Sequence, residues 1–499
     1  MNEDNIALKE LVNGDGVGPG AEGYRVQGEE LMKDLNLIEW NGPDDPENPM
    51  NWSLRKKVLL TSTLAMMTFC VTFASSVFSN ATVPVSKEYG VSTEVTTLGT
   101  SFFVLGFAVG PLVWGPGSEV LGRKRPLFFG YMAFAIFQIP VAVAQNLETI
   151  MVCRFLAGCF GCAPLAIIGG AFVDFWNPVD RGVAMCVFSA ATFIGPVVGP
   201  IMGGFITQSH LGWRWTAWIT LIMAALFGAI GIFIVPETSH SRILQIRAQK
   251  IRLETKNWAV HAKADESPLD IHTLVSKYLL RPFTMLVQEP ILLLISIYLA
   301  YIYGILYLFF EAYPISFQIE RGWNQGVGAL PFLGIMIGVL LGSITITYIT
   351  KTRFARKLKK HGKVIPEERL IPMIAGAIIL PVGLFWFAWT SSPHITWVPQ
   401  AIAGVFIGWG ILMIFIQGLN YLIDVYMWHA NSAIAANTFL RSLAGAGFPM
   451  FATAMYDKLG VNWATSLLGF LSIVMIPAPV LFFIYGERIR KMSKFSPSA

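Results

Sequence analysis

The chain has 499 residues, 54% hydrophobic and only 13% charged, with a net charge of +5 and a mean hydropathy of +0.57. Soluble domains carry nearer ~25% charged residues, so these values exclude an ordinary soluble fold and point to a chain that crosses a membrane many times. All five cysteines (Cys70, Cys153, Cys159, Cys162, Cys186) fall in apolar stretches, which argues against a disulfide framework. Cys159 and Cys162 are spaced like a metal or redox pair, but no second pair or nearby histidine accompanies them. Packing is their expected role, and no metal or cofactor is expected.

In chain order, residues 1–53 read as a polar tail that ends in WNGPDDPENPMNW (40–52), rich in turn formers and acidic groups. The tail lacks the apolar core of a secretory signal, so the first span is expected to serve as an uncleaved one. Apolar stretches of spanning length follow near 57–79, 94–116, 126–145, 149–172, 182–206 and 214–235. A second set lies near 288–312, 327–349, 370–390, 396–421, 432–456 and 464–486. The expected fold is therefore an all-α membrane protein of twelve transmembrane helices in two six-helix bundles. Its parts would be the tail (1–53), a first bundle (54–235), a central loop (236–285), a second bundle (286–486) and a terminal tail (487–499). The pattern LGxxxGxL occurs in the second span of each half, at Leu105, Gly106, Gly110, Leu112 and at Leu333, Gly334, Gly338, Leu340. Such a match fits an internal repeat.

Lysine and arginine set the orientation. With the N-terminus inside, one side holds Arg123, Lys124, Arg125, Arg181, eight basic residues from Arg242 to Arg281 and eight from Lys351 to Arg369. The other side keeps only Lys87, Arg214, Arg321 and Lys458. Both termini are thus expected in the cytosol. The run RILQIRAQKIRLETK (242–256) alternates basic and aliphatic residues; an amphipathic helix on the inner leaflet and a plain solvated linker both fit it.

The fifth span, FSAATFIGPVVGPIMGGFI (188–206), carries Gly195, Pro196, Gly199, Pro200, Gly203 and Gly204. Glycine costs ~1 kcal/mol and proline ~3 kcal/mol relative to alanine in a water-exposed helix, but a bilayer offers the backbone no competing water. Gly195, Gly199 and Gly203 recur every fourth residue and make one smooth face for close helix approach. The prolines beside that face bend and stiffen the helix. A fixed seam and a moving part both fit this pattern.

Ionisable groups inside spans are costly, and each is a functional candidate. Arg154 lies early in the fourth span, Asp174 at its end, Glu311 at the end of the seventh, Asp424 at the end of the tenth and Arg441 within the eleventh. An arginine stays charged, so Arg154 needs a carboxylate, a water-filled cavity or carbonyl partners; snorkelling to an interface is the structural alternative. A carboxylate near a fixed arginine suits proton coupling, because desolvation and the cation act on it in opposite directions. The seventh span is rich in tyrosine (Tyr298, Tyr301, Tyr303, Tyr307, Tyr313) and continues into Phe309, Phe310 and Glu311. Tyr303, Tyr307 and Phe310 suit a polar-aromatic lining for flat amphipathic or cationic molecules, whereas Tyr313 and Tyr298 fit an interfacial belt. In GPGSEVLGRKRPL (115–127), glycines allow a tight turn, and Glu119 is placed to accept bonds from a helix N-terminus.

Together these pieces resemble the major facilitator superfamily. The 115–127 stretch is similar to its loop motif, with Gly115, Glu119, Gly122 and Arg123 at motif positions; Glu119 replaces the usual Asp, Gly117 the usual Leu and Val120 a frequent Arg. RFLAGCFGCAP resembles the span-four motif with Arg154 at its arginine, and the 188–206 stretch the span-five antiporter motif in the doubled form GPVVGPIMGG. WNGPDDPENPMNW, GWRWTAWI (212–219), VPET (235–238) and the run from Asn420 to Phe451, which includes Asn437 and Arg441, resemble fungal drug:proton antiporters of twelve spans. The resemblance implies a proton-coupled exporter of hydrophobic or cationic compounds, such as drugs, toxins or secondary metabolites, in the plasma membrane. The proton gradient would supply energy in place of a cofactor. It implies proton coupling through Arg154 and Asp174, and a cytosolic latch with Glu119 near Ser432 and Arg123 near Asp174. Cavity candidates are Tyr303, Tyr307, Phe310, Glu311, Asn437 and Arg441. The expected partners are a small-molecule substrate, protons and lipid, with no nucleic acid, and the chain is expected to be monomeric. An importer of a nutrient or organic acid is the alternative on the same scaffold. A receptor is disfavoured by the intact motifs, and an enzyme by the lack of a P-loop or nucleophile constellation.

Overall fold

The computed structural model describes residues 36–266, 280–362, 365–491 and 493–495. The first 35 residues of the tail, Lys277, Lys363 and the last four residues lie outside them. Eleven helical stretches among the described residues are long and apolar enough to cross a membrane. They are α1 (Leu54–Tyr89), α2 (Thr93–Val120), α3 (Lys124–Ala142), α4 (Leu147–Phe175), α5 (Pro178–Gln208) and α6 (Trp215–Ile234), then α7 (Pro290–Glu320), α8 (Gln325–His361), α9 (Pro366–Trp389), α10 (Trp397–Tyr426) and α11 (Ala430–Arg490). The last is interrupted at Gly460, whose φ of 73° and ψ of 163° are not helical. It therefore consists of two arms, 430–459 and 461–490, where the sequence predicts two spans separated by a polar turn. Asn146, Asn177 and Asn324 start α4, α5 and α8 by accepting bonds from backbone N–H groups of the first turn, which fills one of the orphan donors of each helix start.

The helices form two halves. In the first, α5 packs on α1, and α2 and α3 pack on α4; in the second, α10 packs on α8 and α9, and α7 on α11. The halves meet where α2 packs on α11 and α5 on α8. The repeated glycine pattern does equivalent work in each half. A Cβ on Gly106 would lie 2.6 Å from the Phe155 carbonyl oxygen of α4, and one on Gly338 would lie 2.7 Å from the Trp409 nitrogen of α10. In both halves, the second helix can approach the fourth only because the glycines carry no side chain.

The described part of the tail and of the central loop (36–43 and 243–266) forms a compact unit of its own. Leu37–Ile38 pairs in parallel with His261–Ala262, and Ile38, Leu244, Ala248, Ile251, Val260 and Ala262 share a small apolar cluster. Arg252 pairs with Asp265 at 3.0 Å. Of the two forms open to the basic run, the structure takes the helix, over His240–Thr255.

Candidate transport site

The glycine face of α5 is a seam within the first half. Cβ atoms on Gly195, Gly199 and Gly203 would fall 2.8 Å from the Phe69 oxygen, 2.9 Å from the Val77 nitrogen and 2.7 Å from the Val77 oxygen, all on α1. Asn80 of α1 also crosses this seam, donating to the Pro200 carbonyl at 2.8 Å. Gly204 points elsewhere. Its Cβ would sit 2.6 Å from the Gln325 oxygen at the start of α8, in the other half. Gln208 Oε1 accepts from the Gly326 N–H at 3.2 Å close by. One end of the interface between halves is thus closed by backbone-to-backbone contact.

The opposite end carries the α2–α3 turn with Arg123, Lys124 and Arg125, and is termed the basic end. Arg123 pairs with Asp174 of α4 at 3.1 Å and donates to Ser118 at 2.9 Å. Thr238 and His240 bond to the Asp174 carboxylate and backbone carbonyl respectively. Glu119 accepts from the Asn431 amide at the start of α11, which ties the turn to the second half one residue from the implied position. The carboxylate on the α3 N-terminus belongs to Glu237 of the VPET stretch, which accepts from the Arg123 and Lys124 N–H groups at 2.8 and 3.2 Å. The second half repeats the ion pair: Arg369 at the start of α9 meets Asp424 at the end of α10 at 2.9 Å. That copy is more deeply buried, with side chains 5% and 6% exposed against 15% and 14% for Arg123 and Asp174.

Between these ends lies a cavity of about 120 Å³. From the basic end, at Gly115, Ser118, Arg123 and Asn431, it runs to mid-depth at Ser189, Thr192, Phe415, Thr438 and Arg441. No aspartate or glutamate lines it. Arg441 is only 7% exposed. Its guanidinium lies 5.2 Å from the Tyr303 ring centre and 4.9 Å from that of Phe415. It forms no hydrogen bond or ion pair with a described residue, and its Nε is buried without a partner. Burying an ion is costly unless polar groups replace its water; two ring faces replace part of it.

Arg154, 3% exposed, is bonded to backbone on two neighbouring helices. It donates to the carbonyls of Gly99 (2.6 Å), Ala74 (3.1 Å) and Ser75 (3.4 Å), and lies 4.4 and 4.9 Å from the Phe78 and Phe103 ring centres. One guanidinium thereby ties α4 to α1 and α2. The link continues into the second half: the Ser75 hydroxyl bonds Tyr307 at 2.8 Å, Tyr307 bonds Tyr303 at 3.4 Å, and Tyr303 faces Arg441.

Comparison with known proteins decides the family. The profile of the Major Facilitator Superfamily matches residues 64–449. The chain belongs to the major facilitator superfamily. A "Citrinin biosynthesis cluster MFS transporter" of Monascus ruber is 59% identical over 490 residues, covering 97% of this chain and 98% of its own length. The "Ascochitine biosynthesis cluster MFS transporter" of Didymella fabae is 54% identical over 482 residues, covering 96% and 92%. Among solved structures, the proton:xylose symporter XylE shares the fold, with a TM-score of 0.60 at 14% identity, covering 88% of this chain and 96% of that one. The chain is a multi-pass membrane transporter and not an enzyme.

Within this superfamily fold, the residues singled out from sequence fall into separate places. Arg154 and Asp174 are not brought together: they sit near opposite ends of α4, twenty residues or ~30 Å apart along a helix, and Arg154 has carbonyl partners in place of a carboxylate. Of the six cavity candidates, Arg441 borders the cavity, with Tyr303 and Tyr307 behind it. Phe310 packs on Phe332 and Tyr307, and Asn437 is fully buried with its amide 3.3 Å from Ser296. Glu311 is half-buried and makes no hydrogen bond or ion pair with a described residue. Tyr313 and Tyr298 do not form an interfacial belt. Both are fully buried, and Tyr313 stacks on Phe332 at 4.1 Å, because α7 runs through the core of its half. Sequence reasoning missed Ser189, Thr192, Thr438 and Phe415 in the cavity, as well as the Arg369–Asp424 pair. The pair had a signal: Arg369 and Asp424 lie 55 residues apart and Arg123 and Asp174 lie 51 apart, so the repeat maps one onto the other.

Proposed function

We propose that the protein is a proton-driven exporter of a fungal secondary metabolite, working by alternating access across the plasma membrane with twelve spans and both termini in the cytosol. The observation that carries this reading is the cavity, which extends from the basic end to mid-depth, while the Gly204–Gln325 contact closes the opposite end. With the basic end inside, that is a carrier positioned to load from the cytosol. The biosynthesis clusters named for the relatives support a metabolite as cargo. The cycle then exchanges the two closures. Opening the outer side parts Gly204 from Gln325, and closing the inner side draws α2 and α5 toward α10 and α11. Asp174 is the carboxylate whose protonation would release Arg123 and loosen the α3–α4 end. Arg154 holds the first half as one body and passes its position to the second half through Ser75 and Tyr307. The protein works as a monomer, because each chain holds both halves and the path between them.

The test is efflux from a pump-deficient yeast expressing the chain, with a panel of fungal metabolites and a protonophore as control. Falling cell content that the protonophore abolishes is the expected result. Accumulation driven by an inward proton gradient would establish the importer alternative instead.

A further inference from the structure

We infer that the cargo is a flat aromatic anion, with Arg441 as its anion-binding residue; this rests on the transport reading above and names its substrate class. The cavity's charged lining groups among the described residues are Arg123 at the mouth, already paired with Asp174, and Arg441 at mid-depth, and no carboxylate of those residues lines it. A cationic cargo would meet the like charge of Arg441 with no carboxylate beside it, an arrangement that costs free energy in a low-dielectric site. An anion meets the reverse.

Arg441 is built to receive such a group. It is more than nine-tenths buried, borders the cavity, and leaves its Nε without a hydrogen-bond partner. A guanidinium offers planar paired donors that match a carboxylate, or a phenolate with an adjacent carbonyl, in a bidentate way. Tyr303 and Phe415 stack on each other, 6.3 Å apart at 27°, and flank the guanidinium. They hold it in place without neutralising it, so its charge remains available to a ligand. Phe188 and Phe415 give the cavity aromatic walls from both halves, and Thr192 and Thr438 add hydroxyls. Aromatic faces with few hydroxyls suit a planar ring system. Arg154 marks the contrast: its Nε and Nη2 already donate to three backbone carbonyls, whereas Arg441 makes no hydrogen bond with a described residue.

The test is equilibrium dialysis of the purified full-length protein against three probes of matched size: 1-hydroxy-2-naphthoate, its methyl ester and 1-naphthylmethylammonium. The naphthoate should bind at least ~tenfold more tightly than either other probe, one bidentate charge-assisted contact being of that order. Arg441→Gln should erase that preference, and Arg441→Lys should keep part of it. Equal or tighter binding of the ester or the ammonium to the wild-type protein overturns the inference, as does an unchanged preference in Arg441→Gln. If Arg441→Gln fails to fold, the wild-type ranking of the three probes still decides. Failure of the export reading looks different: vesicles would show no energised movement of any probe while the binding preference stood. Energised efflux of the ester or the ammonium without preference for the anion would leave export in place and remove the anion.

Discussion

Each half of the molecule buries an arginine inside a spanning helix without a carboxylate partner among the described residues, and the two are used in opposite ways. Arg154 has three carbonyl acceptors and two aromatic faces, and joins three helices of its own half. Arg441 has two aromatic faces, no acceptor among the described residues, and borders open space. The same side chain is a rivet in one place and a charge facing a cavity in the other. Residue type and burial alone do not separate structural from functional charge; the hydrogen-bond account does.

Substitutions can tell the two arginines apart. The largest effect is expected for Arg154→Ala. Each lost charge-assisted bond is worth ~1.5–3 kcal/mol, so export should be abolished in protein that still reaches the membrane, and the purified variant should melt several degrees lower. Full efflux in that variant would remove Arg154 from the mechanism. Next comes Gly199→Leu, which tests whether the body that Arg154 rivets is as tightly closed as its contacts imply. Its side chain must enter space already held by α1 backbone at 2.9 Å, and overpacking costs ~1–3 kcal/mol or more. Transport should be lost in an efflux assay; wild-type efflux would mean that the seam has slack. Arg441→Gln should separate the two arginines most clearly in thermal melts. Replacing a buried charge that lacks a partner is often neutral or stabilising, so its melting temperature should hold or rise where that of Arg154→Ala falls. A drop of similar size would make Arg441 a second rivet. The smallest effect is expected for Tyr307→Phe, which cuts the Ser75 bond between the arginines. A net ~0.5–1.5 kcal/mol corresponds to roughly two- to tenfold in turnover, readable as an efflux rate at saturating cargo.

Much of this architecture was legible in the sequence. Apolar length located the helices but not all their ends: 182–206 became Pro178–Gln208, whereas 288–312 became Pro290–Glu320, ending eight residues later, because polar residues can extend a helix past its apolar part. The loop resemblance anticipated Arg123 on Asp174 and put Glu119 at the start of α11, where it meets Asn431 in place of Ser432. What was not legible depended on contacts between distant segments. Arg154 offers no sequence sign that its partners are backbone carbonyls, since every residue has one. Tyr307 and Tyr313 look alike along α7, yet one bonds Ser75 of the other half and the other is stacked inside its own. Gly204 stands next to Gly203 in the motif but serves a different interface, because neighbouring residues on a helix point ~100° apart. The helix over His240–Thr255 was undecided because its alternating pattern suits solvent as well as a surface.

The two Arg–Asp pairs of the repeat differ in one respect that reaches beyond the transport cycle. Arg369–Asp424 is shut away from water, whereas Arg123–Asp174 keeps a partial opening to it. Dissolved ions weaken exposed pairs over ~8 Å at physiological strength and barely touch buried ones. Added salt therefore weakens Arg123–Asp174 more than Arg369–Asp424, and the two ends of the repeat respond unequally to the ionic strength around them.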